Sequence, residues 1–234
     1  ISMEDLLIQK IIFSDIIGAR WQTYRTPEEM QHILEKAGFR DLDLLYDAGF
    51  RMIGLTHFFD NEAAGSAHGI EKGGLTPFGR ELVQHIQARK MVLDLAHASS
   101  QTIDDVLKMT TAPVIVSHTG VRGTCDNQRN LSNDQIRRIA ATGGVIGIAM
   151  FEAAVCGTTV NNTAQAMRYV ANLVGVDYVA VGSDFDGAIA TAIDVSGMAF
   201  LTEALLNQNF TAEEIAKMMG TNVLRVLREV LPKN

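Results

Sequence analysis

Residues 91–120 read MVLDLAHASSQTIDDVLKMTTAPVIVSHTG. Two short apolar runs, Met91–His97 and Pro113–His118, flank a segment with Ile103, Val106 and Leu107 on one helical face, for which Ser99 or Ser100 can serve as N-cap. Strand, helix, strand with a single crossover is the unit of a parallel sheet, and near-continuous apolarity marks strands covered on both faces. Each of the two strands ends in a histidine.

The same unit repeats outward. Arg51–His57, Gly144–Met150 and Tyr178–Asp184 are three further short apolar runs. The helices between the strands carry start signals. Thr76 with Pro77 opens a helix to about Lys90, Ser132 with Gln135 and Thr211 with Glu214 form capping boxes, and Asn162 can cap the helix holding Met167, Val170 and Val174. Residues 41–231 therefore read as successive β/α units of one barrel. Residues 1–38 read as a helical segment, with helices at Leu6–Trp21 and Pro27–Ala37. No repeat or linker divides the chain, so 1–234 is expected to be one domain of α/β class, a TIM-like (β/α)8 barrel.

Of the 234 residues 47% are hydrophobic, enough for a substantial core, and 20 Lys and Arg against 27 Asp and Glu leave a net charge of -7 with no basic run, which argues against nucleic acid as partner. No 18-residue apolar stretch suggests a membrane span and no signal peptide is evident. Two cysteines, Cys125 and Cys156, without C-x-x-C spacing, are too few for a disulfide framework. Cys125 is expected to be an unreactive packed thiol, and the chain to be cytoplasmic.

Four of the five strands end in a group capable of coordination or proton transfer: His57, His97, His118 and Asp184. In a parallel barrel the C-terminal strand ends share one mouth, so these residues converge on a site whose donor set suits zinc hydrolysis. Asp94, inside MVLDLAH, can either orient His97 or bond backbone amides. Asp186 neighbours Asp184 in SDFDG, where Asp184 is expected to face the mouth and Asp186 to shape the turn. The loop His118–Leu131 carries Arg122 and Arg129, either of which could clamp a carboxylate. The Gly-rich loop Phe58–Gly74 suits a wall or lid, and its Glu62 and Glu71 are expected to be solvated. His32, His68 and His85 are expected to be exposed or loop-anchoring.

LTHFFDN (Leu55–Asn61), GLTPFG (Gly74–Gly79), VLDLAHAS (Val92–Ser99), PVIVSHTGVRG (Pro113–Gly123), RNLSN (Arg129–Asn133), GGVIGI (Gly143–Ile148) and VGSDFDG (Val181–Gly187) together resemble, in order, the membrane (renal) dipeptidase family of zinc metallopeptidases, barrels of the metal-dependent hydrolase type. The resemblance implies that His97 and His118 are metal ligands to one of two zinc ions. It implies that His57 polarises the substrate carbonyl, that Arg129 rather than Arg122 holds the dipeptide carboxylate, and that Asp184 engages the amine and handles protons. It further implies hydrolysis of dipeptides by a metal-activated water, and a homodimer. Two other readings remain in play: a related amidohydrolase acting on another amide or ester, and a non-catalytic homologue that uses the barrel for binding. The family's first-strand His-x-Asp pair and its bridging Glu from an Ile-Glu-Gly strand have no counterpart here, and five strands are read where a closed barrel needs eight. The first strands are thus expected to be missing from this sequence.

Overall fold

The computed structural model describes residues 40–233, and the two helices read before Gly38 lie outside them. From Leu42 onward these residues form one compact unit. Its elements are α1 (Arg40–Asp47), β1 (Met52–Gly54), α2 (Pro77–Ala88), β2 (Val92–Asp94), α3 (Ser100–Met109), β3 (Ile115–Thr119), α4 (Asn133–Ala141), β4 (Val145–Ile148), α5 (Glu152–Val155), α6 (Val160–Val174), β5 (Val179–Val181), α7 (Met198–Asn207), α8 (Ala212–Ala216) and α9 (Asn222–Val230). A π-turn over Lys217–Thr221 joins the last two. All five strands pair in parallel, in the order β1-β2-β3-β4-β5. Sequential parallel order with one crossover per step is how a β/α barrel wall is built.

Each strand lies where its apolar run predicts; four are trimmed at both ends, while β3 starts later and runs one residue past His118 to Thr119, and β2 and β4 are buried throughout. β1 is more exposed, with Met52 at 45%. The helices lay apolar stripes on the sheet: Val83 and Ile86 from α2, Ile103 and Val106 from α3, Ile136 and Ile139 from α4, and Met167 and Val170 from α6. Their starts are as read. Thr76 accepts from the Gly79 N–H with Pro77 at the first turn, Ser99 accepts from Thr102, and Ser132–Gln135 and Thr211–Glu214 close capping boxes. One cap differs: Thr159, not Asn162, is the N-cap of α6, and Asn162 serves at the third position, its Oδ1 accepting from the Thr159 N–H and hydroxyl. Both residues can cap, and Val160 being helical shifted the start by a turn.

α9 seals one end of the sheet. Its Val226 and Val230 pack with Val92, Ile115, Val145 and Ala180, near the N-terminal ends of four strands. That leaves the opposite, C-terminal ends open to the long loops.

Candidate functional site

β2 and β3 make an irregular junction at their C-terminal ends. They share a single ladder position, Asp94 with Ile115. Beyond it the Asp94 carboxylate takes over: one oxygen accepts from the Ala96 N–H at 3.0 Å and the Ser117 N–H at 2.9 Å. Asp94 is buried, and these two charge-assisted bonds satisfy amides that the ladder leaves over. Of the two roles open to it, Asp94 therefore takes the backbone one, and it holds the strand ends that carry His97 and His118.

β3 itself bulges between Val116 and Thr119, where it spends one residue more than β4. The displaced Ser117 carbonyl lies so close to Gly147 and Gly182 that a Cβ on either would come within 2.2 Å of it. The glycines of GGVIGI and VGSDFDG thus make room for the bulge that aims His118. His97 and Asp184, three residues past the ends of β2 and β5, both sit in the left-handed region, at φ 62° and 63°. For non-glycine residues this conformation is strained and recurs at functional sites.

The result is a tight cluster. His97 Nε2 and His118 Nε2 face each other at 2.8 Å. His118 Nδ1 lies 2.9 Å from the Ser117 hydroxyl, and its Nε2 is 3.7 Å from Asp184 Oδ1. The His57 ring stands edge-on to His97, centroids 4.4 Å apart. Arg129 reaches in from the β3–α4 loop, donating to the His118 carbonyl at 2.7 Å and the Thr119 hydroxyl at 3.2 Å. Arg122 points elsewhere, donating from Nε to the Asn130 carbonyl. Asp186 accepts from the Ala188 N–H and shapes the turn after β5. Glu62 and Glu71 enter no bond to the cluster among those described; Glu71 contributes its backbone N–H to Asp60 instead.

Burial sets the protonation states. It pushes His97 down to about 2, aided by Arg129, His57 and His118. Burial also lowers His118, against the pull of Asp184, and His57, with help from His118 and against Asp184 and Asp186. Arg129 is lowered to about 10, chiefly by burial, and so remains a cation at neutral pH. Neutral imidazoles are the form that binds metals.

The fit to a metal can be tested on the pair itself. Two imidazoles on one tetrahedral ion, with bonds of roughly 2.0–2.1 Å, place their nitrogens about 3.3 Å apart. Facing nitrogens at 2.8 Å need only a small retreat. The Nδ1 of His97 is buried and has no hydrogen-bond partner among the described residues. Among those residues, no group of three or more His, Cys, Asp or Glu side chains is placed to hold an ion. Two donors suited to a metal are present, and further donors would have to come from outside the described residues.

Three features escaped the sequence. His68, expected to be exposed or loop-anchoring, is exposed, but its ring lies 5.3 Å from that of His97. Buried Asn130 locks the arginine loop, accepting from the Gly120 N–H and donating to the carbonyls of Cys125 and Ala154. Cys125, expected as a packed thiol, is bonded to Cys156 in a disulfide with Cα atoms 5.2 Å apart. Their separation of 31 residues hid this, because only the fold brings the arginine loop against the end of α5. The two segments pack tightly at Gly120, where a Cβ would fall 1.8 Å from the Ala154 carbonyl oxygen.

A parallel α/β unit that gathers imidazoles, a guanidinium and a carboxylate at its C-terminal strand ends has the build of a barrel of the metal-dependent hydrolase class. Residues 26–232 match the model of the family described as membrane dipeptidase, peptidase family M19, and the chain belongs to that family. A Klebsiella pneumoniae protein described as an uncharacterized protein in the pqqA 5′ region is 31% identical over 218 residues, covering 85% of this chain and 80% of that protein. Dipeptidase verJ of Clonostachys rogersoniana is 35% identical over 193 residues, covering 80% of this chain, which spans 50% of that relative's length. A solved metallopeptidase from Rhodobacter sphaeroides, bound to a phosphinate mimic of the dipeptide L-Ala-D-Ala, superposes with TM-score 0.73 at 26% identity, over 83% of this chain and 60% of that one. The fold is thus the family's α/β barrel type, and the family is one of metallopeptidases.

Proposed function

We propose that the protein of which this chain is all or part hydrolyses dipeptides, with zinc held at His97 and His118. The observation that carries this reading is the pair of half-buried, neutral imidazoles meeting at 2.8 Å, with Arg129 bonded to the His118 carbonyl and Asp184 beside the His118 ring. When bound, zinc supplies Lewis acidity and lowers the pKa of its water. The chain's own residues do the rest. Arg129, a cation already anchored to the His118 carbonyl, takes the substrate carboxylate through its remaining N–H groups. Asp184 takes the free amine and moves protons, and His57, beside His97, donates to the carbonyl oxygen as charge develops there. A cation and an anion beside the histidine pair, Arg129 on the His118 carbonyl and Asp184 by its Nε2, suit a substrate that carries both charges, as a dipeptide does, and the Rhodobacter sphaeroides relative binds a phosphinate mimic of one.

The experiment is dipeptide hydrolysis by the full protein, with and without chelator, together with zinc counted per chain. Activity that chelation abolishes and zinc restores supports the reading; inactivity with bound zinc sinks it. The lack of a third donor among the described residues favours a second reading, a non-catalytic homologue, for which the same assay would find little zinc and no turnover. As to compartment, the described residues contain no helix long and apolar enough to cross a membrane. The Cys125–Cys156 disulfide weighs against a cytoplasmic site, since disulfides persist mainly in oxidising compartments, and thiol titration of the isolated protein checks this.

A further inference from the structure

The loop between β1 and α2 is built to hold its shape. The Asp60 carboxylate accepts from the backbone N–H groups of Ser66 at 2.8 Å and Glu71 at 2.9 Å. A Cβ on Gly69 would collide with that carboxylate, and one on Gly65 with the backbone of Gly73, so both positions are packed as glycine. The loop is also stitched to the site. The Ser66 hydroxyl donates to the His57 carbonyl at 2.5 Å, and the Ala67 N–H donates to the His97 carbonyl at 2.7 Å. One residue later comes His68, whose own N–H is held by Ser66 Oγ at 3.1 Å.

This platform presents two rings at the mouth. His68 lies edge-on to Phe58, centroids 5.4 Å apart, and Phe58 in turn stands 5.6 Å from His97 and 4.2 Å from His57. Both rings are open to solvent, Phe58 at 43%. An exposed aromatic pair on a rigid loop, directly beside imidazoles placed to act on a substrate, has no role in the chemistry described above. It does offer an apolar face to whatever projects from the reacting centre. The loop also reaches the arginine side of the site: Lys72 Nζ donates to Gln128 Oε1 at 2.5 Å, next to Arg129 in the chain.

We propose that Phe58 and His68 form the subsite for the side chain of the substrate's carboxy-terminal residue, and that it favours a large apolar or aromatic side chain there. This rests on the dipeptide reading, because Arg129 sets which end of the substrate lies against the loop. A glycine in that position leaves both rings uncovered; a phenylalanine covers them.

The test compares Ala-Gly, Ala-Phe and Phe-Ala as substrates for the full, metal-loaded protein and its variants. A parallel equilibrium measurement uses two phosphinate dipeptide mimics whose carboxy-terminal side chains are methyl and benzyl. His68→Ala and Phe58→Ala should each cut kcat/KM for Ala-Phe about tenfold, mainly through KM, and change Ala-Gly and Phe-Ala by less than about twofold. His68→Phe should restore Ala-Phe, and Ile70→Ala, on the same loop but 95% exposed, should alter neither. The benzyl mimic should bind more tightly than the methyl one, and lose that advantage in His68→Ala. An equal loss on all three substrates, or a benzyl advantage that survives both alanine variants, overturns the subsite. If wild type hydrolyses none of the dipeptides yet keeps a His68-dependent benzyl advantage, the subsite stands and the hydrolytic reading falls. If hydrolysis proceeds without any side-chain dependence, the subsite falls and the hydrolytic reading stands. Failure of both mimics to bind also overturns the subsite.

Discussion

At the scale of single residues, the site depends on strained or bulged positions more than on ligand type alone. His97 and Asp184 occupy left-handed backbone, and His118 sits in the bulge over Gly147 and Gly182. Arg129 is the residue whose role is most directly tested. It is largely buried, held at about 10 yet still charged, and tied to the His118 carbonyl, so its loss removes a preorganised cation rather than a mobile one. Arg129→Ala should weaken transition-state binding of dipeptides by roughly 2–5 kcal/mol, because it leaves the substrate carboxylate unpaired. Steady-state kinetics on dipeptides and their C-terminal amides check this: amides should be nearly indifferent to the substitution, and equal losses on both would remove carboxylate recognition from Arg129. The histidine placement was legible in the sequence, since a histidine after an apolar run needs only the parallel fold to become part of a site. His68 was not. Nothing local distinguishes a loop histidine at the mouth from one in solvent until the loop's hydrogen bonds are known.

At the scale of elements, two long loops do the positioning, and each has its own fastening. In the β1–α2 loop, burial alone would raise the Asp60 pKa, but hydrogen bonds from Ser66, Glu71 and Lys72 outweigh it and hold the group below its ordinary 3.8. A carboxylate with a depressed folded pKa contributes stability that is fully present above the unfolded value and is lost as pH falls through the folded one. Asp60→Asn should therefore destabilise the protein at neutral pH, with the difference from wild type shrinking only below pH 3.8. Denaturant melts of both proteins along a pH series measure it; a difference that disappears between pH ~5 and ~7 would contradict the assignment. In the β3–α4 loop the fastening is covalent. Closing 31 residues with Cys125–Cys156 is worth on the order of 3–4 kcal/mol in the chain-entropy model. The double variant Cys125→Ser, Cys156→Ser should lower the denaturation midpoint correspondingly. It should also raise KM for dipeptides, since the loop carries Arg129. An unchanged midpoint would mean that the Asn130 bonds alone hold the loop. The helix caps were readable because capping is a contact across three residues. The disulfide joins segments whose proximity no local pattern encodes.

At the scale of the whole molecule, the sheet has a sealed end and a working end. α9 covers the N-terminal side with Val226 and Val230, while the loops after β1, β2, β3 and β5 gather at the other side. A ligand bound by two strands at once ties those strands together in the folded state only. Zinc should accordingly stabilise the protein by about 2.7 kcal/mol at a hundredfold excess over its Kd, less whatever the unfolded chain binds. Thermal unfolding with zinc and with chelator should show the midpoint shift in wild type and its loss in His97→Ala and His118→Ala. A shift that persists in both variants would place the metal elsewhere.

What the sequence by itself determined is what short-range physics encodes. Apolar runs of about five to seven residues specify strands, capping boxes specify helix starts, and the alternation of the two specifies a parallel sheet whose strand ends carry His57, His97, His118 and Asp184. Only the tertiary structure decided how those residues meet. The 2.8 Å approach of His97 and His118, the anchoring of Arg129 on the His118 carbonyl, the turn of Asp94 to backbone amides, the Cys125–Cys156 bond and the rings of Phe58 and His68 at the mouth all join segments distant in the chain or aim a side chain. Those directions follow from a bulge, two left-handed residues and glycines that admit a neighbouring backbone. Such features are selected by the packing around them, and no window of sequence contains that packing.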